Sequence, residues 1–140
     1  MIMKKQSRWN KNWMEKQKRK NLCVSCNNKK LKHSNLCKKH WFVSKATGNL
    51  GDIKMATEIE ELFNAQNARC YLTGEKLILG KNASLDHFIP QSKAPELKCE
   101  IRNLGWCTKK INKLKNNFSI EELIKICKNV VDFYEKTPEN

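Results

Sequence analysis

The sequence predicts an α+β fold in which a small metal-binding module precedes a mixed core of helices and strands. Three observations support this prediction. Cysteine and histidine residues cluster between residues 22 and 41, strand-like and helical patterns follow one another in the middle of the chain, and an amphipathic helical pattern lies near its end. A chain of 140 residues has room for one modest core, or for a smaller core plus a module stapled by a metal ion.

The first third of the chain carries nearly all of its net charge. Residues 1–47 contain fourteen lysine and arginine residues and one acidic residue, Glu15, and so hold +13 of the total of +14. Such a concentrated field attracts a polyanion, and we predict DNA as the partner. A solvated basic tail is the alternative. Residues 1–21 are either a basic helix or a disordered arm, and the pattern fits both.

Several protein classes are disfavoured by composition. No run of 18 apolar residues occurs, and the N-terminal stretch is basic, with Trp9 and Trp13, rather than apolar like a secretory signal. We therefore expect no membrane association and a cytoplasmic location. Seven cysteines, an odd number, do not resemble a secreted disulfide framework, which leaves reduced thiols or metal ligands. No small-molecule organic cofactor is expected.

The cysteines of residues 22–47 have the spacing of a structural zinc site. Cys23 and Cys26 form a Cys-x2-Cys pair, and after ten further residues Cys37 and His40 form a Cys-x2-His pair. Two short-spaced pairs of this kind meet at one tetrahedral ion, which would close a DNA-binding zinc knuckle. His33 is an alternative fourth ligand, and buried thiols without a metal are an alternative to the site as a whole.

Lysines flank the predicted knuckle and suit contact with DNA phosphates. They are Lys29, Lys30, Lys32, Lys38 and Lys39. The glycines of "KATGNLGD" then indicate a linker or a turn, which we place at residues 48–52, with residues 53–140 as the second domain.

The second domain begins with a helical pattern and a predicted hairpin. "ATEIEELFNAQNARC" has apolar residues at helical spacing, and Thr57 with Glu60 predicts a capping box. "YLTGEKLILGKNASLDHF" changes to strand-like runs separated by turn residues, including Gly74, and predicts a hairpin that ends near His87.

A loop, a strand and two helices are predicted to follow. Pro90 and Pro95 mark the loop, "NLGWC" from Asn103 is strand-like, and Thr108 is a candidate cap for the helix "TKKINKLKNN". The last helix, "SIEELIKICKNVVDFYEK", has a predicted capping box at its start, formed by Ser119 and Glu122. Its apolar face is predicted to pack on the core and comprises Ile120, Leu123, Ile124, Cys127, Val130, Val131 and Tyr134.

One short stretch, "SLDHFIPQSK", pairs Asp86 with His87, one of only three histidines in the chain. Histidine suits general-base chemistry near neutral pH. Neighbouring residues on a strand point to opposite faces, so one of the two can face a metal while the other faces water. Taken alone, however, such a dipeptide is most often an ordinary surface or loop pair.

Three further features give this pair a context. Asp86-His87 is followed by Ile-Pro, Asn103 opens the next predicted strand, and Asn112 with Lys115 forms an Asn-x-x-Lys pattern in the next predicted helix. With "CYLTG" upstream, this set resembles the HNH endonucleases of the ββα-metal superfamily over about residues 53–127. The layout with a basic knuckle is similar to small phage-type or homing-type members.

The resemblance implies a role for each motif residue. His87 would be the general base that activates water, Asp86 and Asn112 would bind one divalent cation, and Asn103 would fix the loop that carries the base. A carboxylate and an amide oxygen are hard ligands, which suit Mg²⁺ or Mn²⁺. Three lysines of the same helix would hold the DNA backbone, and these are Lys109, Lys113 and Lys115.

Two departures from the family pattern matter. The last motif position is Asn112 rather than histidine, a variation that also occurs within the family. Many family members carry two further Cys-x2-Cys pairs, but here Thr73 and Lys110 stand where the second cysteines would fall. We therefore expect no zinc in the second domain and ordinary reduced thiols at its four cysteines, which are Cys70, Cys99, Cys107 and Cys127.

The sequence thus predicts a metal-dependent HNH endonuclease that hydrolyses DNA phosphodiester bonds. Two alternatives stay open: a catalytically silent zinc-containing protein that binds nucleic acid, and a nuclease that acts on branched DNA or RNA. A single core offers one active site, so a double-strand break would need a dimer or two successive nicks.

Overall fold

The computed structural model describes the backbone of residues 2–137 and the side chains of residues 11–137. Within this range the α-helices are α1 (Ile2–Arg19), α2 (Lys38–Lys45), α3 (Met55–Ala65), α4 (Lys109–Lys115) and α5 (Ile120–Lys136), and the strands are β1 (Ala83–His87) and β2 (Leu104–Thr108). No helix in the described part is both long and apolar enough to cross a bilayer. The predicted α+β class is confirmed.

The two strands form one antiparallel ladder that leads directly into α4. In its register, Asp86 pairs with Gly105 and His87 with Leu104. The side chain of Thr108 caps α4 by accepting a hydrogen bond from the Ile111 N–H, as predicted. Gly105 is required at its position, because an added Cβ would lie 2.5 Å from Phe88.

One hydrophobic core joins the cysteine-rich segment to the rest of the chain. The Trp41 ring lies 5.4 Å from that of Trp106, and the Phe42 ring lies 5.8 Å from that of Phe63. The segment after α2 is a π-helical turn (Ala46–Leu50). The glycine-containing stretch "KATGNLGD", which was predicted to be a linker or a turn, therefore contains a turn. The predicted domain boundaries stay a prediction, although side chains on both sides of residues 48–52 share this core.

The basic N-terminal residues, for which the sequence fitted a helix or a disordered arm, form helix α1, whose backbone is helical up to Arg19. Its C-terminal half packs on the cysteine-rich segment. The indole N–H of Trp13 donates to the Val24 carbonyl oxygen, and the buried Gln17 donates to Asn27. The side chain of Trp9 lies outside the described residues.

The hairpin predicted between Tyr71 and His87 is only partly formed. Residues 71–82 are loop and turn, and Arg69 and Lys76 form one isolated bridge instead of a first strand. The side chain of Asn82 replaces a ladder, since it accepts from the Ile78 N–H and donates to the Lys76 carbonyl oxygen.

Helix α3 begins two residues before the predicted capping box. Its N-cap is Lys54, and the carboxylate of Asp52 accepts the Lys54 N–H, so Thr57 and Glu60 lie inside the helix. The capping box predicted for α5 is confirmed, with both of its hydrogen bonds between Ser119 and Glu122.

The prediction that α5 packs its apolar face on the core was wrong. Leu123 is the one buried residue of this helix, while Val130 and Tyr134 are 52% and 73% exposed. The helix is anchored at its N-terminal end, where Lys93 and Glu122 form an ion pair of 2.7 Å, and beyond Leu123 its large apolar side chains stay exposed. Amphipathicity predicts that a face is buried, but it does not specify by what.

Candidate metal centre and candidate active site

Four side chains of the cysteine-rich segment converge on one point. The ligand atoms of Cys23, Cys26, Cys37 and His40 all lie within 4.8 Å of one another. Cys26 Sγ is 3.8 Å from Cys37 Sγ, and His40 Nδ1 is 3.3 Å from Cys37 Sγ and 3.6 Å from Cys23 Sγ. A zinc tetrahedron with Zn–S of about 2.3 Å and Zn–N of about 2.0 Å has edges in this range. This Cys3His cluster could hold a metal ion such as Zn²⁺.

Backbone N–H groups support the thiolate form of these ligands. The N–H of Ser25 points to Cys23 Sγ at 3.4 Å, and that of Asn28 points to Cys26 Sγ at 3.5 Å. Burial raises the pKa of Cys23, but hydrogen bonds from the backbone of Cys37 and Ser25 outweigh it and lower the pKa to about 6. At Cys26 the hydrogen bond from the Asn28 backbone lowers the pKa, but burial and the neighbouring Cys23 and Cys37 outweigh it, so this pKa is raised. Zinc binds the thiolate, so within the cluster it is the environment of Cys23 that favours metal binding at neutral pH.

His40, rather than His33, is the fourth member of the cluster. His33 lies in an exposed turn, where its carbonyl packs against Gly80, a residue with a φ of +77°. A Cβ at Gly80 would lie 2.5 Å from that oxygen, so glycine permits this contact between the cysteine-rich segment and the loop before β1.

The second candidate site is centred on Asp86, which is 5% exposed. Its carboxylate accepts a hydrogen bond of 2.6 Å from the Tyr71 hydroxyl and lies 3.3 Å from Lys115 Nζ. Burial, and then the Asp86 charge, raise the pKa of Tyr71, so the phenol stays protonated and donates. Both oxygens of Asp86 thus have polar partners within the protein.

Lys115 does not lie on the solvent-facing side of α4, where a phosphate contact was predicted. Its side chain is 1% exposed, and Nζ also donates a 2.7 Å hydrogen bond to the His87 carbonyl oxygen. This lysine therefore neutralises Asp86 and ties α4 to the end of β1. It is not placed to hold DNA.

His87 is half-buried and has a defined tautomer when neutral. Its Nε2 lies 2.9 Å from the carbonyl oxygen of Lys98, which can only accept, so Nε2 carries the proton and Nδ1 the lone pair. The amide nitrogen of Gln91 lies beside the ring, 3.3 Å from Nε2 and 3.5 Å from Nδ1. The unprotonated nitrogen is therefore Nδ1, the atom that a general base would use.

Asn103 binds the loop that follows His87, in the way that the predicted role requires. Its amide oxygen accepts the Ile89 N–H at 2.9 Å, and its amide nitrogen donates to the Ile89 and Leu97 carbonyl oxygens. The side chain is 4% exposed, so these bonds form inside the protein and hold both ends of the loop.

Asn112 faces β1 from α4, one helical turn before Lys115. Its amide nitrogen donates to Ser84 Oγ at 2.8 Å and to the Leu85 carbonyl oxygen at 3.0 Å. The amide oxygen is the group of this side chain that remains for a ligand. Asp86 and His87 thus end β1, Asn103 directly precedes the partner strand, and Asn112 contacts β1 at Ser84 and Leu85.

The other predicted DNA-contacting lysines lie at or near the surface. Lys109 and Lys113 of α4 are exposed, as are Lys29, Lys32, Lys38 and Lys39, while Lys30 is half-buried. Lys38 forms an ion pair of 2.8 Å with Glu60, which offsets its charge. Burial, followed by repulsion from Lys109, lowers the pKa of Lys45, so basic side chains of α2 and α4 lie close to each other.

The remaining cysteines are free thiols in two environments. Cys70 and Cys107 are buried, whereas Cys99 and Cys127 are exposed. Burial, and then the charge of Asp86, raise the pKa of Cys107, which keeps this thiol protonated. For Cys127 the packing role expected from the α5 pattern is wrong.

Sequence reasoning missed two contributors to the second site, Tyr71 and Gln91. Both reach it from loops, and although Tyr71 lies in "CYLTG" and Gln91 in "SLDHFIPQSK", neither stretch indicates what these side chains bond to. Comparison of the chain with protein-family models, with curated proteins and with solved structures finds no match.

Proposed function

We propose that this protein is a metal-dependent endonuclease of the HNH type that hydrolyses phosphodiester bonds in DNA. The observation that carries the proposal is the placement of Asp86 and His87 at the end of β1, with Asn103 directly before the partner strand and Asn112 on the helix that contacts β1. These residues are separated by up to 26 positions in the sequence.

In this proposal His87 is the general base. Its Nδ1 takes a proton from water as the water oxygen attacks the phosphorus, and the bond from phosphorus to the 3′ oxygen breaks, which leaves 5′-phosphate and 3′-hydroxyl ends. The Lys98 carbonyl fixes the tautomer and stabilises the imidazolium that forms. Asn103 maintains the geometry of the loop during this step.

Asp86 and Asn112 would hold a Mg²⁺ or Mn²⁺ ion, and their donor set fits such an ion. A carboxylate and an amide oxygen are hard ligands, and when bound the ion would supply charge stabilisation at the phosphate. Lys115 sets a condition, because its ammonium group already contacts the carboxylate. A metal ion must therefore share Asp86 with Lys115 or displace it.

The exposed lysines suit the DNA backbone. Lys109 and Lys113 lie on α4, which also carries Asn112, and the exposed lysines of the cysteine-rich segment add further charge. The zinc knuckle would serve as a scaffold for that charge, since four protein ligands leave no open position on the metal.

The proposal is tested with supercoiled plasmid, purified protein and Mg²⁺, with EDTA as the first control. Nicked or linear product is expected with Mg²⁺ only, and His87→Ala should lower the rate at least about a hundredfold, the usual size of a general-base contribution. Gln91→Ala is the matched control, because it removes a neighbour of the same imidazole without removing the base.

A catalytically silent nucleic-acid-binding protein is the second candidate, and the Lys115–Asp86 ion pair favours it. If wild-type protein retards plasmid in a gel but leaves plasmid, branched DNA and RNA uncut in Mg²⁺ and Mn²⁺, this second function replaces the first. Cleavage of branched DNA or RNA alone would keep the chemistry and change the substrate.

A further inference from the structure

Helix α5 presents an apolar surface that residues 11–137 leave uncovered. Six large apolar side chains of this helix are at least 41% exposed, and they are Ile124, Ile126, Val130, Val131, Phe133 and Tyr134. Uncovered apolar surface of this extent marks an interaction site in a soluble protein.

The surface consists of two seams on neighbouring sides of the helix. Ile124, Cys127 and Val131 line a groove of about 370 Å³ that is closed on its other side by Leu72 and Ile111. The second seam is formed by Leu123, Ile126, Val130 and Phe133, which alternate spacings of three and four residues. This is the a/d repeat of a coiled coil, and beyond Leu123 it is exposed.

We propose that the second seam pairs with the same seam of a second copy of this chain, with the two α5 helices antiparallel. A two-fold axis near Lys128 sets Leu123 opposite Phe133 of the second copy, and Ile126 opposite Val130. Ile126 and Val130, which are 41% and 52% exposed, then cover each other, and Phe133 covers the small edge of Leu123 that stays exposed, 8% of that residue. The interface is self-complementary, as a symmetric dimer requires. The pairing rests on contacts of α5 alone and does not depend on the proposed nuclease function.

The charges beside the seam fit this arrangement. Glu122, Asn129 and Lys136 recur every seven residues along one edge of the seam. Antiparallel pairing about the same axis brings Glu122 of each copy beside Lys136 of the other, which gives two ion pairs. It also brings the two Asn129 residues together. Glu122 is exposed and already binds Lys93, so its carboxylate can receive a second cation.

The opposite edge of the seam supplies a direct test of register. Cys127 lies there, is exposed, and in this arrangement faces Cys127 of the second copy. Cys99 is exposed as well but lies outside α5, which makes it the matched control.

Light scattering after size exclusion tests the association over a hundredfold range of concentration. We expect the mass to rise towards twice 16.4 kDa. Val130→Glu should keep the mass at one chain with unchanged helix content by circular dichroism, whereas Lys125→Glu, on the polar side of α5, should associate like wild type. A single-chain mass at every concentration, or association that survives Val130→Glu, would overturn the proposal.

Oxidation with diamide tests the antiparallel register. A disulfide-linked dimer is expected from wild type and from Cys99→Ser, but not from Cys127→Ser. A linked dimer that persists in Cys127→Ser contradicts the register. If Val130→Glu instead weakens plasmid binding by a protein that is a monomer throughout, the seam belongs to the DNA interface and the dimer is excluded.

Discussion

At the scale of single residues, the buried pair of Lys115 and Asp86 determines what the candidate active site can bind. The ammonium group lies where a cation bound to the carboxylate would contribute its charge, and Tyr71 donates to the same carboxylate. The site is thus neutralised from within, and a divalent cation has to compete with a lysine of the same chain.

Lys115→Met should therefore destabilise the protein. Removing one partner of a buried ion pair leaves an uncompensated charge and costs about 3–5 kcal/mol of unfolding free energy. Thermal melts of the variant and of wild type measure this loss, and equal stabilities would contradict it.

The response to Mg²⁺ shows whether Asp86 is a metal ligand or only the structural partner of Lys115. If Asp86 is a metal ligand, Mg²⁺ should raise the Tm of Lys115→Met by more than that of wild type, because the ion replaces the lost charge. Lys113→Met, an exposed neighbour on α4, serves as the control and should respond like wild type. An equal response of all three proteins would show that the pair is only structural.

Residue identities predicted the members of the candidate site, but not their bonds. The motif spacing pointed to Asp86, His87, Asn103 and Asn112, and the structure places them on β1, directly before β2 and on α4. Burial of Lys115 was missed because a lysine on a short basic helix looks solvated, and nothing in the sequence near Lys115 indicates the carboxylate that compensates it.

At the scale of elements, the metal cluster and the core depend on each other. Helix α2 begins directly after Cys37 and carries His40, and its next two residues, Trp41 and Phe42, are buried in the shared core. A metal ion bound by the cluster would thus orient a helix whose apolar side chains the rest of the protein requires.

Loss of the metal should consequently unfold more than the cysteine-rich segment. Cys37→Ser is expected to lose about one zinc ion per chain and to lower the Tm of the whole protein, since structural zinc contributes directly to folding free energy. Cys99→Ser should change neither the metal content nor the Tm. Elemental analysis and calorimetry give both values, and a normal Tm in the metal-free variant would contradict the coupling.

Periodicity predicted the helices better than the strands. The patterns of α3 and α5 are long and regular, and each gave a helix, although Thr57 did not cap α3. The predicted first hairpin strand was lost because the Asn82 side chain satisfies the backbone of residues 76–78 instead of a neighbouring strand. That competition depends on three-dimensional position, which a pattern of apolar residues does not contain.

At the scale of the whole molecule, the net charge is concentrated in residues 1–47, whereas the candidate active site lies in the rest of the chain. If the lysines of the cysteine-rich segment contact phosphates, each contact releases about one counterion when DNA binds. The affinity for DNA should then fall steeply with salt, whatever the base sequence.

Single substitutions should report which lysines take part. Lys39→Gln is expected to reduce the slope of log affinity against log salt concentration by about one, in titrations with a short duplex. Lys38→Gln should have a smaller effect, because Glu60 already offsets the Lys38 charge. Identical slopes for wild type and Lys39→Gln would remove this lysine from the interface.

The stacking of two indole rings has an optical consequence. Trp41 directly follows the cluster residue His40, and its ring lies 5.4 Å from that of Trp106, tilted by 31°. Chromophores at this separation share their electronic transitions, so near-ultraviolet circular dichroism should contain a coupled signal from this pair. One ring follows the Cys3His cluster and the other lies in the strand before α4. The coupled signal would therefore report, without a label, whether the cysteine-rich segment is packed on the core.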